Sequence, residues 1–264
     1  MSAQRLAPSA ASILSAVSVV RVVGRVVVLV VGRVVVGASV VVGLGGCGGE
    51  GTVAVTAFGE SFIEDGIPAD AVDDGWAVDF GRFEVDVRDV VVAGQQLAID
   101  EPVDLVPSSS GAGHELGRVV VPAGEHSAAA FTIARVAVDG TATKGEAMRA
   151  FRWVFDEPTR YEACETTTVV PAGGSAVLQI TVHADHLLFD SLVATTPRLL
   201  FQPLADADVD ADGTITPDEL AAADIGAYDP GSADGVDDLW QWLNAQVRNL
   251  GHVDGEGHCR AAAD

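Results

Sequence analysis

Positive charge is scarce in this chain of 264 residues: 15 lysines and arginines face 38 aspartates and glutamates, a formal charge of −23. Such a surface repels the phosphates of nucleic acid and of anionic lipid headgroups, and it attracts cations. Nucleic acid is excluded as a partner, and so is electrostatic adhesion to anionic membranes. Cysteine is almost absent. The three present, Cys47, Cys164 and Cys259, form no C-x-x-C pair, so a dithiol redox motif and a zinc ribbon both lack support. Catalytic signatures are missing as well. There is no G-x-S-x-G elbow and no phosphate loop, and His114-Glu115 has no second histidine four residues on. The acids are spread too evenly to single out a catalytic pair. The expectation is a protein that is not an enzyme.

Long apolar runs are also missing. Residues 1–46 hold Arg5, Arg21, Arg25 and Arg33 and no acid, and their longest uninterrupted run, Val34 to Gly46, is 13 residues. A spanning helix needs about 20 apolar residues, whereas a signal peptide needs a run of this shorter length. The run ends in Leu44-Gly45-Gly46-Cys47, which resembles the lipobox of bacterial lipoproteins. That resemblance implies cleavage of residues 1–46, lipidation of Cys47 and a tether over 47–51. It also implies a lipid-anchored location in the cell envelope, at the outer membrane or the periplasmic face. An uncleaved membrane anchor is the alternative. Loss of the leader removes four positive charges and no negative ones, leaving −27. Lipidating Cys47 leaves Cys164 and Cys259 as one even pair, and outside the cytoplasm such a pair is expected as a disulfide.

From 52 to 196 the pattern is that of strands. "TVAVTAF", "WAVDFGRFEVDVRDVVVAG", "GRVVVPAG", "AAFTIARVAVD", "MRAFRWVFD" and "SAVLQITVH" alternate or stay apolar, with Gly, Pro, Asp and Ser clusters between them. In the second run the phase slips by one across Gly81-Arg82, as a β-bulge allows. In the last, Ala176, Leu178, Ile180 and Val182 share a face opposite Gln179, Thr181 and His183, as in a sheet wet on one side. The fold class expected is mainly β, an antiparallel β-sandwich with a C-terminal α-helical subdomain over 197–264. The stretch from "AIDEPVDL" to "VPAGEHSAAAFTI" is similar to β-sandwich lipoproteins of immunoglobulin- or transthyretin-like type, in which a "VPAG" turn joins a strand pair.

The C-terminal part reads as helical. "PRLLFQPLADAD" is expected to enter an acidic loop as a helix that Pro203 kinks or shortens. "TPDELAAADI" leaves the loop with Thr216 as N-cap, Pro217 next and Glu219 closing a capping box. A last helix in "DDLWQWLNAQVRNLG" is expected to bury Leu239, Trp240, Leu243, Val247 and Leu250.

The loop itself, "DVDADGTITPDE", resembles the EF-hand calcium loop. Asp208, Asp210 and Asp212 take its first, third and fifth places, Gly213 the sixth, Thr214 the seventh, Thr216 the ninth and Glu219 the twelfth. The resemblance implies calcium bound by the carboxylates of Asp208, Asp210, Asp212 and Glu219 and the carbonyl of Thr214. Ile215, at the eighth place, is the residue that in the family pairs with a second loop. No second complete loop exists here, so the single loop is expected to act as a structural clip rather than a switch.

Four histidines fall in two clusters, His183 and His186 in "HADH", and His252 and His258 in "GHVDGEGHC". Alternation of His252, Asp254, Glu256 and His258 in an extended segment would put all four on one side, with donors suited to zinc or copper. The plain alternative is a set of polar turn residues, which Gly251, Gly255 and Gly257 favour. Two readings follow: a non-catalytic calcium-binding envelope lipoprotein, or a periplasmic copper- or zinc-binding protein built on His183, His186, His252 and His258. The residues name no macromolecular partner.

Overall fold

The computed structural model describes residues 48–262; the leader, Cys47 and its lipidation lie outside the described residues. Twelve strands occur among them: β1 (Glu50–Phe58), β2 (Ala77–Val92), β3 (Gln95–Leu97), β4 (Val103–Asp104), β5 (His114–Pro122), β6 (Gly124–Lys144), β7 (Ala147–Phe155), β8 (Thr159–Val170), β9 (Ser175–Val182), β10 (Thr214–Ile215), β11 (Gly251–Val253) and β12 (Arg260–Ala261). The helices are α1 (Glu60–Glu64), α2 (Gln202–Ala205), α3 (Pro217–Ala222) and α4 (Leu239–Val247). No described helix is long and apolar enough to cross a membrane.

The strands make two sheets that share one core. The smaller runs β11-β9-β1-β5 and the larger β10-β7-β6-β2-β3, with β4 on β2, β8 on β6 and β12 on β8. Pairing is mostly antiparallel, with two exceptions: β1 runs parallel to β9, and β10 parallel to β7. β1 lies between two neighbours and buries both its faces from Val53 to Ala57, which accounts for its unbroken apolar run. β2 slips register against β6 between Phe80 and Arg82, at the glycine where the alternation changed phase. The "VPAG" turn does join two strands, but β5 pairs with β1 in one sheet and β6 with β2 in the other. It is a crossover between sheets rather than a hairpin.

β8 has no counterpart in the sequence reading. Its buried residues are Thr159, Tyr161, Cys164, Thr166, Thr168 and Val170. Ala163, at φ +51, flips the phase after Tyr161, and three inward threonines erase the apolar signal. The opposite face of β9 also departs from expectation. Thr181 is fully buried and His183 is 6% exposed, because β11 and the turn after it cover that end.

The segment after 196 does not stand apart. The described residues, 48–262, belong to one compact unit, β11 adds to the small sheet and β10 and β12 to the large one. Leu204, Leu220 and Trp242 belong to the same core as Val53 and Phe83. Pro203 sits in the first turn of α2, where its missing N–H costs nothing, so it starts the helix instead of breaking it. In α4 the buried set is Leu239, Trp242, Leu243, Gln246 and Val247. Trp240 is only half-buried and stacks on Phe155 at 4.9 Å, while Trp242 stacks on Tyr228 at 4.8 Å. The inward face therefore follows the spacing 239, 242, 243, 246, which includes a buried Gln246 that donates to the carbonyl of Phe189 at 3.0 Å.

Candidate metal centres

The acidic loop closes on itself by short side-chain turns. Asp210 Oδ1 accepts from the N–H of Asp212 (3.1 Å), Asp212 Oδ1 from that of Thr214 (2.7 Å) and Asp208 Oδ2 from that of Gly213 (3.2 Å). Gly213 turns the chain at φ +85, a conformation that costs other residues a Cβ clash. One carboxylate oxygen from each of Asp208, Asp210 and Asp212 lies within 4.8 Å of the others. Glu219 is not in that group. Its Oε2 accepts from the N–H and hydroxyl of Thr216 at 2.9 and 2.7 Å, completing the capping box of α3. Two oxygens are left buried with no partner, Oδ1 of Asp208 and Oε1 of Glu219. A buried, unpaired carboxylate oxygen is costly, and a cation removes that cost. Arg149 Nε, 2.9 Å from Asp208 Oδ2, already neutralises one of the charges.

The strand of the loop has a partner after all. Thr214 and Ile215 pair with Ala150 and Phe151 of β7, and the indole N–H of Trp153 donates to the carbonyl of Ile215 at 3.0 Å. The edge of the loop is thus paired by the large sheet.

The histidines come from three elements. His183 follows β9 and caps the 3-10 turn Ala184–Leu188, His186 lies within that turn, and His252 is the middle residue of β11, opposite Thr181. Ring centres are 4.4 Å apart for His183 and His252 and 5.3 Å for both His183–His186 and His186–His252. His258 lies 5.6 Å from His252. His183 and His252 are buried, His186 is half-buried and His258 exposed. The segment 252–258 is not extended: a turn at 254–256 folds it back, with Val253 bridged to Gly257. Asp254 leaves the cluster, its carboxylate accepting from Gln179 N–H at 3.1 Å and from the Thr166 hydroxyl at 2.5 Å. The disulfide Cys164–Cys259 fastens the segment to β8.

Burial pushes His186 and His252 down to about 4, and the charge on neighbouring His183 adds to the shift. Both rings are neutral at pH 7 and keep one nitrogen lone pair. Carboxylates gather around them. Asp185 and Glu60 are raised by burial, Glu60 Oε2 lies 3.6 Å from His183 Nδ1, and Glu60, His183 and Glu256 have donor atoms within 4.8 Å of one another. Glu60 was not legible as a site residue. It arrives through the parallel register that sets Phe58 beside Thr181, a long-range pairing with no local signal. Arg149 was missed for the same reason. The two other histidines are elsewhere, their Nε2 atoms against the carbonyls of Pro107 and Pro122. Compared with family models, curated proteins and solved structures, the chain matches none of them.

Proposed function

We propose that this chain is a non-catalytic, calcium-binding lipoprotein of the bacterial cell envelope, in which one calcium ion acts as a structural clip. The anchor in this reading is lipidated Cys47, and the scaffold is an immunoglobulin- or transthyretin-like sandwich with an EF-hand loop in its C-terminal part. The observation that carries it is the loop: three aspartate oxygens within 4.8 Å, and buried oxygens of Asp208 and Glu219 with no partner. All the donors are hard oxygens, the set calcium takes at about 2.3–2.6 Å. Glu219 has one engaged and one free oxygen, so it can ligate while still capping α3. The short β10–β7 pairing supports a clip, because a loop tied to a sheet edge has no partner loop to swing against.

Calorimetric titration of the chelator-stripped full chain tests this. Wild type should take up one calcium, with Kd toward the ~10⁻⁴–10⁻³ M of extracellular modules. Asp210→Ala and Glu219→Gln should each weaken binding by about tenfold or more, since each removes ligand charge. Absence of binding at millimolar calcium overturns the reading. A calcium-dependent rise in binding of an apolar dye would make the loop a sensor instead.

A further inference from the structure

We propose that His183, Asp185, His186 and His252 hold one divalent ion of the copper or zinc class, at a second site separate from the calcium loop. Spacing is the first ground. With bonds of about 2.0–2.1 Å, two imidazoles on one tetrahedral ion hold their ring centres roughly 5 Å apart. The three pairs among His183, His186 and His252 measure 4.4, 5.3 and 5.3 Å. His183, Asp185 and His186 each offer a donor atom within 4.8 Å of the others, so Asp185 adds a carboxylate to two imidazoles, and His252 joins them by its ring, 4.4 Å from that of His183.

The rings are also held as metal ligands are held. His186 Nδ1 lies 2.7 Å from the carbonyl of Asn249, which can only accept, so Nδ1 carries the hydrogen and Nε2 keeps its lone pair. His183 Nε2 faces the carbonyl of Gly255 at 3.3 Å, which leaves Nδ1 beside the Glu60 carboxylate. His252 Nδ1 is buried and has no partner at all, in a side chain 9% exposed. Such an orphan costs energy that a bound ion recovers.

Donor chemistry selects the ion. Both cysteines of the described residues are spent in the disulfide, and Met148 lies exposed on β7, so among the described residues no soft sulfur reaches the cluster. Imidazole with carboxylate suits Zn²⁺ and Cu²⁺, and Cu²⁺ binds such a set more tightly than Zn²⁺. Calcium, which takes oxygen ligands, is disfavoured by three imidazoles. The carboxylates of Glu60 and Glu256 add negative charge around the ion. A cavity of about 230 Å³, lined by Tyr161, His186, His252, His258 and Cys259, reaches the rings of His186 and His252 and gives an entry path.

The test uses the stripped full-length chain titrated with Cu²⁺ and followed by electron paramagnetic resonance, then by competition with Zn²⁺. The expected result is one Cu²⁺ per chain with coupling to at least two imidazole nitrogens, displacing Zn²⁺. His252→Gln and His186→Gln should each lower copper affinity by at least the roughly 10–100-fold that loss of a ligand's outer partner costs. Calcium uptake should be unchanged, which reports that these variants fold and separates failure here from failure of the calcium reading. A double His114→Ala/His126→Ala variant should bind as wild type. Coupling to fewer than two nitrogens, uptake below one equivalent, or copper lost with His114 and His126 overturns the proposal.

Discussion

The indole N–H of Trp153 donates to the carbonyl of Ile215 inside the core, while its ring stacks on Phe151 at 4.4 Å. That bond ties the eighth residue of the acidic loop to the large sheet. Trp153→Phe keeps an aromatic ring but leaves the Ile215 carbonyl without its donor. An unpaired buried acceptor costs about 1–3 kcal/mol. Urea unfolding of the chelated protein should show a loss of that order, and calcium affinity should fall with it, since the loop is then held to β7 by the strand pairing alone. Equal calcium affinity would separate the anchor from the site. Gly251 shows the same dependence on a single atom. A Cβ there would lie 2.8 Å from the ring of Tyr161, so only glycine lets β11 pass beneath that ring and bring His252 into the cluster.

At the scale of elements, the disulfide decides where the last turn of chain goes. Cys164 and Cys259 are 95 residues apart, and β12 pairs beside them with Glu162 and Tyr161 of β8. In the chain-entropy model a loop of about 100 residues gains up to ~4.7 kcal/mol from such a bond. Reduction, or the pair Cys164→Ser and Cys259→Ser, should lower the stability by about 2–5 kcal/mol, read from denaturant midpoints with and without reductant. The segment carrying His258 should lose hydrogen-exchange protection first. A reduced protein as stable as the oxidised one would mean that β11 and β12 hold this segment without the bond.

For the molecule as a whole, the shared core changes what calcium should do. A helical subdomain with its own core would confine calcium's effect to residues near 200–225. Here β10 pairs with β7, Arg149 of β7 meets Asp208, and Leu204 and Leu220 pack in the common core. Calcium should therefore slow hydrogen exchange in β7 (147–155) as well as around the loop, while β5, in the other sheet, stays unchanged. At a hundredfold excess over Kd the added stability is about 2.7 kcal/mol. Protection limited to the loop would show that it opens without the sheet.

Much of this architecture follows from local pattern. Alternation in "RAFRWVFD" and "SAVLQITVH", the phase slip at Gly81, the capping box of Thr216 and Glu219 and the spacing of Asp208, Asp210 and Asp212 are all properties of neighbouring residues, and period and capping are local physics. The lone pair Cys164 and Cys259 was legible by counting. Other features depend on which strands meet. The crossover at "VPAG", the burial of Thr181 and His183, the exchange of Trp240 for Trp242 and the threonine-lined β8 are set by what covers each face, which period alone does not report. The two sites divide the same way. The acidic loop is contiguous, so the gathering of Asp208, Asp210 and Asp212 was legible in the sequence by itself. The histidine cluster joins β9, a 3-10 turn and β11 with Glu60 from beyond β1, and only the tertiary structure could assemble it, because its neighbours in space are fixed by parallel pairing and a disulfide across distant segments.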